Sequence, residues 1–172
     1  GAAHLMTMMY GLLQQGQWTD QRQDNLLDGG AHFYGTFECA DGKWIAIGSI
    51  EPQFYQLLLD TLGIDAESKG VGQAKKDWQK MRQRLKQIFL REPRSHWCEL
   101  MEGTDICFAP VLTMAEAPAH PHNEARGTFV NAFGLTQPGP APRFSRTQGG
   151  IQRPPPIPGE HTAEVLKDWG VK

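Results

Sequence analysis

Residues 25–51, NLLDGGAHFYGTFECADGKWIAIGSIE, decide how this chain folds, and Pro52-Gln53-Phe54-Tyr55 follows at once. Two adjacent glycines, Gly29 and Gly30, predict an open loop. Phe33–Ala40 reads as extended, rich in aromatics and carrying Thr36. Asp41-Gly42 predicts a hairpin with a type I′ turn, which needs positive φ at both central residues. Lys43–Ile50 returns as a second strand, with Trp44, Ala46, Gly48 and Ile50 on one face and Ile45, Ile47 and Ser49 on the other. Both faces are largely apolar, which predicts cover on both sides. Pro52 suits the first position of a helix. One carboxylate, Glu51, therefore falls at a strand-to-helix corner beside a glycine-rich loop.

Upstream, Gly1–Gln15 has helical spacing at Leu5, Met8, Met9, Leu12 and Leu13, with Gly16 as its stop. The methionines Met6, Met8 and Met9 fit either core packing or an adaptable apolar surface. Gln17–Asp24 is polar and reads as a linker anchored by Trp18. Downstream, helix Pro52–Leu62 is expected to bury Phe54, Leu57, Leu58 and Leu62 and to end at Gly63. A loop over Ile64–Gly72 leads to a helix over Gln73–Leu90, with Trp78, Met81, Leu85, Ile88 and Phe89 inward. Its basic residues, Lys75, Lys76, Lys80, Arg82, Arg84 and Lys86, read as a solvated face, with a CoA phosphate site as the alternative. After a turn at Pro93, Ser95–Met101 is a short helix capped by Ser95.

Ile106–Leu112 is a third extended segment, and Pro110 within it predicts an edge strand or a bulge. Thr113 and Glu116 have capping-box spacing, which predicts a short helix start. His120, His122 and Glu124 read as a polar helix end; no second cluster completes a metal site. Phe129–Phe133 has the composition of a fourth short strand. Seven prolines between Leu135 and Gly159 predict semi-rigid extended backbone. His161–Trp169 closes the chain as an amphipathic helix.

These signals give an α+β fold. A small domain with an antiparallel hairpin or sheet is packed by helices, with an N-terminal linker helix and a Pro-rich extended tail ending in a short helix. The expected boundaries are 1–30 for the linker helix and glycine loop, 31–133 for the α+β domain and 134–172 for the tail. The compact core is expected within Phe33–Val130.

Hydrophobic residues make up 40% of the 172, enough for a core, and the net charge of −2 gives no electrostatic case for nucleic acid or an anionic membrane. Cys39, Cys98 and Cys107 are odd in number and without metal spacing. They predict reduced thiols and a cytoplasmic location rather than a disulfide framework. No apolar run is long enough to span a bilayer.

Several words of the sequence, in order, resemble the C-terminal part of the family III CoA-transferases (CaiB/BaiF type), in the alpha-methylacyl-CoA racemase branch. They are Asn25-Leu26-Leu27-Asp28-Gly29-Gly30, Phe33-Tyr34, Glu38-Cys39-Ala40-Asp41-Gly42 and Ile50-Glu51-Pro52-Gln53-Phe54-Tyr55. Ala141-Pro142-Arg143-Phe144-Ser145-Arg146-Thr147, Gly159-Glu160-His161-Thr162 and Glu164-Val165-Leu166 extend the match to the tail. The resemblance implies that a further half precedes this stretch and holds the nucleotide-binding fold and the main acid/base residues, a histidine and an aspartate. It implies an interlocked homodimer, an acyl-CoA substrate and no cofactor beyond the CoA thioester itself. It also implies that the tail returns to the large domain.

On this resemblance Glu51 is the catalytic contribution of the chain, orienting the histidine of the preceding half. Leu27, Asp28, Gly29, Gly30, Tyr34, Ile50, Met8 and Met9 are the substrate-binding candidates. No metal is expected. His32 lies nearest the family site but reads as a loop residue. Residue by residue, Glu51 can equally be a helix-start residue whose charge favours the dipole. A formyl-CoA-type transferase and a carnitine dehydratase-like enzyme stay open as alternatives. So does a noncatalytic dimerisation or folding module, and the chain by itself is expected to be inactive.

Overall fold

A computed structural model describes residues 1–67 and 71–171, so part of the expected 64–72 loop, residues 68–70, lies outside the described residues. The chain forms two compact units, Gly1–Val111 and residues 112–172. The architecture is mixed helix and antiparallel sheet.

The first unit opens with α1 (Ala2–Leu5) and α2 (Thr7–Gln14), which bury no side chain completely. Strands β1 (Tyr34–Glu38) and β2 (Trp44–Gly48) pair antiparallel, with Phe37 opposite Ile45 and Tyr34 opposite Gly48. The hairpin is where the sequence puts it, but its turn is not type I′. Gly42 alone is left-handed there (φ 71°). Its N–H donates to the Cys39 carbonyl at 3.0 Å, and the Cys39 N–H donates to Lys43 O at 2.8 Å. That is a three-residue loop, Ala40-Asp41-Gly42, which needs positive φ only at its last residue.

Helix α3 (Pro52–Thr61) follows the corner, and α4 (Trp78–Phe89) begins after a 3₁₀ turn over Lys75–Asp77, later than the expected Gln73. Helix α5 (Arg94–Met101) starts one residue early, with Pro93 and not Ser95 at its N-cap. Strand β3 (Phe108–Val111) completes a three-stranded sheet in the order β1-β2-β3, so Pro110 sits on an edge strand.

The core forms between Ala31 and Ile106, narrower than the expected Phe33–Val130 at its C-terminal end. Ile45, Ile47 and Ser49 face it and are buried, whereas Trp44 on the opposite face is 42% exposed. One face of β2 is therefore left partly open. Phe89 stands at the centre, 5.2 Å from the Phe37 ring and 5.1 Å from the Trp97 ring, and Trp97 Nε1 donates to Phe89 O at 3.0 Å. Each such side chain contributes about 1.5–3 kcal/mol by burial. On α3 the buried stripe is Tyr55, Leu58 and Leu59, one residue off the expected register, because Tyr55 carries a hydroxyl that finds partners inside.

The second unit holds α6 (Pro121–Ala125), a hairpin of β4 (Phe129–Ala132) with β5 (Leu135–Pro138), and α7 (Thr162–Asp168). Thr113 and Glu116 do form the capping box: Thr113 N–H donates to Glu116 Oε2 at 3.0 Å and Glu116 N–H to Thr113 Oγ1 at 3.2 Å. Strand β5 lies where only proline-stiffened extended chain was expected. The two-residue turn at Phe133 (φ 54°) and Gly134 (φ 76°) joins it to β4.

Candidate functional site

The corner after β2 is held from three directions. Ile50 N–H donates to the Gly48 carbonyl at 2.8 Å, which folds the chain sharply. The buried Ser49 hydroxyl donates to Ile106 O at 2.6 Å. Gln73 Nε2 donates to Ile50 O at 2.9 Å and to Ser49 O at 3.3 Å. Glu51 then takes extended backbone (φ −69°, ψ 139°) as the N-cap of α3, with Pro52 in the first turn. Its side chain is exposed and does not cap the helix. Among the described residues its carboxylate has no hydrogen-bond or ion-pair partner. A rigid corner thus presents a free carboxylate.

Tyr34 lies beside this corner, because β1 pairs Tyr34 with Gly48. A Cβ on Gly48 would stand 3.7 Å from two ring carbons of Tyr34 and 3.8 Å from Cys107 Cβ. Ile50 packs partly against the core. Cys107 is exposed and held at φ 60°, unusual for a side chain with a Cβ. Burial and then the negative charges of Glu51 and Asp105 push its thiol up, so the Glu51 charge is felt there.

The glycine loop is built on Asn25, which is buried and bonds in four directions. Its Oδ1 accepts from Thr19 N–H at 2.7 Å, and its Nδ2 donates to Thr19 O, Gln21 O and Asp28 Oδ2. Residues 17–24 are therefore not a free linker. Asp28 Oδ1 accepts from the N–H groups of Asn25 and Gly30, both at 3.0 Å. Burial pulls this carboxyl upward, but these hydrogen bonds outweigh it and hold it below the usual range. A Cβ at Gly30 would fall 2.7–2.8 Å from backbone atoms of Asn25 and Gln23, so the loop closes on itself there. Gly29 (φ 89°) has open space on that side. Leu27 is half-buried.

Arg82 pins the loop from α4. Its Nη2 donates to Gly29 O and, at 2.8 Å, to Ala31 O, and its guanidinium lies 5.5 Å from the Phe37 ring. Arg82 is thus no part of a solvated face. Sequence reasoning missed it, although it falls in the apolar register of Trp78, Met81, Leu85 and Phe89. Lys75 also has a partner, Asp24 at 2.7 Å, while Lys76, Lys80, Arg84 and Lys86 are exposed. A groove of 450 Å³ runs past Asp28, Gly29, Gly35, Phe37, Trp44 and Arg82.

His32 is a loop residue by position, yet it is fully buried. Its Nε2 lies 2.8 Å from the Tyr55 hydroxyl, which in turn donates to Val71 O at 2.5 Å. Burial, with the Arg82 charge, lowers its pKa to about 4, so the ring is neutral at ordinary pH. Met8 and Met9 lie elsewhere, on α2: Met8 is 57% exposed, and Met9 lines a small 150 Å³ hollow with Tyr10, Leu13 and Trp18. The structure thus places Tyr34 and Ile50 at the corner that carries Glu51, Leu27–Gly30 in the loop leading into β1, and the methionines on α2. Among the described residues no group of three or more His, Cys, Asp or Glu side chains could hold a metal, and no helix is long and apolar enough to cross a membrane.

The sequence profile of CoA-transferase family III matches residues 2–162. The chain belongs to that family. It is 41% identical to alpha-methylacyl-CoA racemase from Mus musculus and 38% to the one from Homo sapiens, in each case over 99% of this chain and 45% of the relative. The chain therefore spans less than half the length of the curated relatives it matches. Human succinyl-CoA:glutarate CoA-transferase is 32% identical over 49% of the chain and 20% of its own length. Among solved structures, a mutant of Rv3272 from Mycobacterium tuberculosis superimposes with TM-score 0.65 at 18% identity, over 94% of this chain and 43% of that one. This likeness supports the α+β fold. Racemases and transferases of this family are acyl-CoA-processing enzymes, and that class is the one the chain's relatives define.

Proposed function

We propose that this chain is the C-terminal part of a 2-methylacyl-CoA racemase and supplies Glu51 to its active site. The observation that carries the reading is the free carboxylate on a braced corner, next to Tyr34 and Ile50, in a chain with 41% identity to a racemase. Racemisation removes the proton from the carbon next to the thioester and returns one to the opposite face. An enolate forms between the two steps, and two acid/base groups must flank the carbon. The resemblance puts both groups, a histidine and an aspartate, outside these residues. Glu51 then accepts a hydrogen bond from the imidazole, fixes its tautomer and stabilises its protonated form. The Asp28-Gly29-Gly30 loop would flank the thioester, and the surface with Met8 and Met9 would take the acyl chain as it packs adaptably. The thioester is the substrate, no further cofactor is needed, and the parent works as an interlocked dimer. Residues 1–172 alone do not turn over, since neither acid/base group lies in them.

The test is Glu51→Gln in the protein that carries both halves. Binding should persist, while exchange of the α-proton for deuterium, followed by NMR, should slow roughly tenfold to a thousandfold, mainly in kcat. A folded variant with parental turnover would leave Glu51 as a helix-start residue. The 32% identity to a CoA-transferase favours acyl transfer as the second reading. CoA transfer to a free carboxylate without α-proton exchange would establish it.

A further inference from the structure

The glycine loop and Glu51 belong to different segments, and their relative placement needs a link. Tyr55 sits in the first turn of α3, and its N–H donates to Glu51 O at 2.9 Å. Its single hydroxyl proton goes to Val71 O. The Tyr55 oxygen can therefore only accept from His32, so the imidazole carries its proton on Nε2 and donates. His32 directly follows Ala31, whose carbonyl Arg82 holds. We propose that the His32–Tyr55 hydrogen bond sets the glycine loop against Glu51, and that His32 is a positioning residue for the proton transfer. The proposal rests on the reading of Glu51 given above.

Packing alone does not account for the imidazole. With Nε2 protonated, Nδ1 is a bare acceptor, and it is buried with no partner among the described residues. Leaving a buried acceptor unpaired costs stability. A phenyl ring would keep the edge contacts with Phe33 (5.0 Å between centroids) and Tyr55 (5.4 Å) without that cost. What imidazole adds is one hydrogen bond, spanning 23 residues, that joins the loop exit to the helix that begins after Glu51. Arg82 grips the loop but reaches it from α4. Gln73 braces Ser49 and Ile50 but not the loop. Among the described residues, His32–Tyr55 is the direct hydrogen bond between the loop exit and α3.

The experiment compares His32→Phe with His32→Gln in the full protein. His32→Phe removes the donor and the orphan acceptor together, so its Tm should equal or exceed the parent's. Its kcat for α-proton exchange should nevertheless fall roughly threefold to thirtyfold with KM within about twofold, since misplacement well short of an ångström is enough to slow such chemistry. Backbone amide exchange over residues 25–31 should quicken. His32→Gln places a donor where Nε2 was and should recover most of the rate. A folded His32→Phe with parental kcat overturns the proposal, as does unchanged loop exchange. If His32→Phe does not fold, His32→Leu and Tyr55→Phe must show the same loss of kcat in a folded protein. Failure of all three to fold overturns it too, because His32 then serves the fold alone. Loop exchange is read without any reaction. Quickened exchange together with a fully active Glu51→Gln keeps the link and removes the role given to Glu51, and the reverse pattern does the opposite.

Discussion

The sheet that starts at Tyr34 and the hairpin that starts at Phe129 obey the same antiparallel rule, yet only the first is backed by a core. Every fully buried residue among those described lies between Asn25 and Ile106. The second unit has none, and Phe133, Phe144 and Trp169 stand 54%, 59% and 82% exposed. It is held by local devices instead: the capping box at Thr113, the left-handed pair Phe133-Gly134, and Arg153, which grips both oxygens of Glu164 at 2.8 and 2.5 Å. Exposed pairs of this kind contribute little. The comparison teaches that side-chain deletions should be costly in the first unit and nearly silent in the second.

The largest effect should come from Phe89→Ala, which empties the centre of the aromatic cluster. Unfolding in urea should show a loss of about 3–5 kcal/mol, and a smaller loss than at any peripheral site would break the comparison. Gly30→Ala comes next. Its methyl would overlap backbone rather than a movable side chain, and a destabilisation of about 3 kcal/mol, with Asp28 losing its hydrogen-bonded seat, is the expected result.

A third effect depends on pH. The folded pKa of His32 is depressed to about 4, below the unfolded value near 6.5. The unfolded chain therefore binds the proton more readily between those values. Stability should be flat in this respect above pH 6.5 and fall as pH drops toward 4, by an amount on the order of 2 kcal/mol. His32→Phe should lose that limb, and an unchanged slope between pH 6.5 and 4 would remove His32 as its cause. The smallest effect belongs to Trp169→Ala, expected within about 0.5 kcal/mol in this chain. A loss several times larger would show that the tail has a partner surface.

Much of this was legible in advance because it is local. The hairpin, the helix after Pro52, the capping box and the edge position of Pro110 are each encoded within a few neighbouring residues. The turn type was misread because Asp-Gly fits two loops, and pairing of Cys39 with Lys43 selects the longer one. The α3 stripe was misread because a tyrosine counts as polar until its hydroxyl is known to have partners inside. In the candidate site, Glu51 and the glycine pair stood out by spacing and resemblance. The roles of Arg82 and Gln73 did not, and His32 was noticed only as a loop residue, since each acts on backbone or side chains 23 to 51 residues away and no periodicity records such a contact. Arg82 left one trace, a charge in an apolar register.

Pro110 has an effect beyond marking an edge. Gly48 N–H donates to Cys107 O, so the hydrogen-bonded pairs of the β2–β3 ladder continue through Ala46 and Ala109. Pro110, opposite Ile45, then turns its nitrogen outward, where it has no proton to offer. The outer margin of β3 thus lacks a donor where a fourth strand would need one, and among the described residues the sheet has three strands. Copies crowded together on a polyribosome, with β3 newly exposed, meet an edge that is a poor template for joining one to the next.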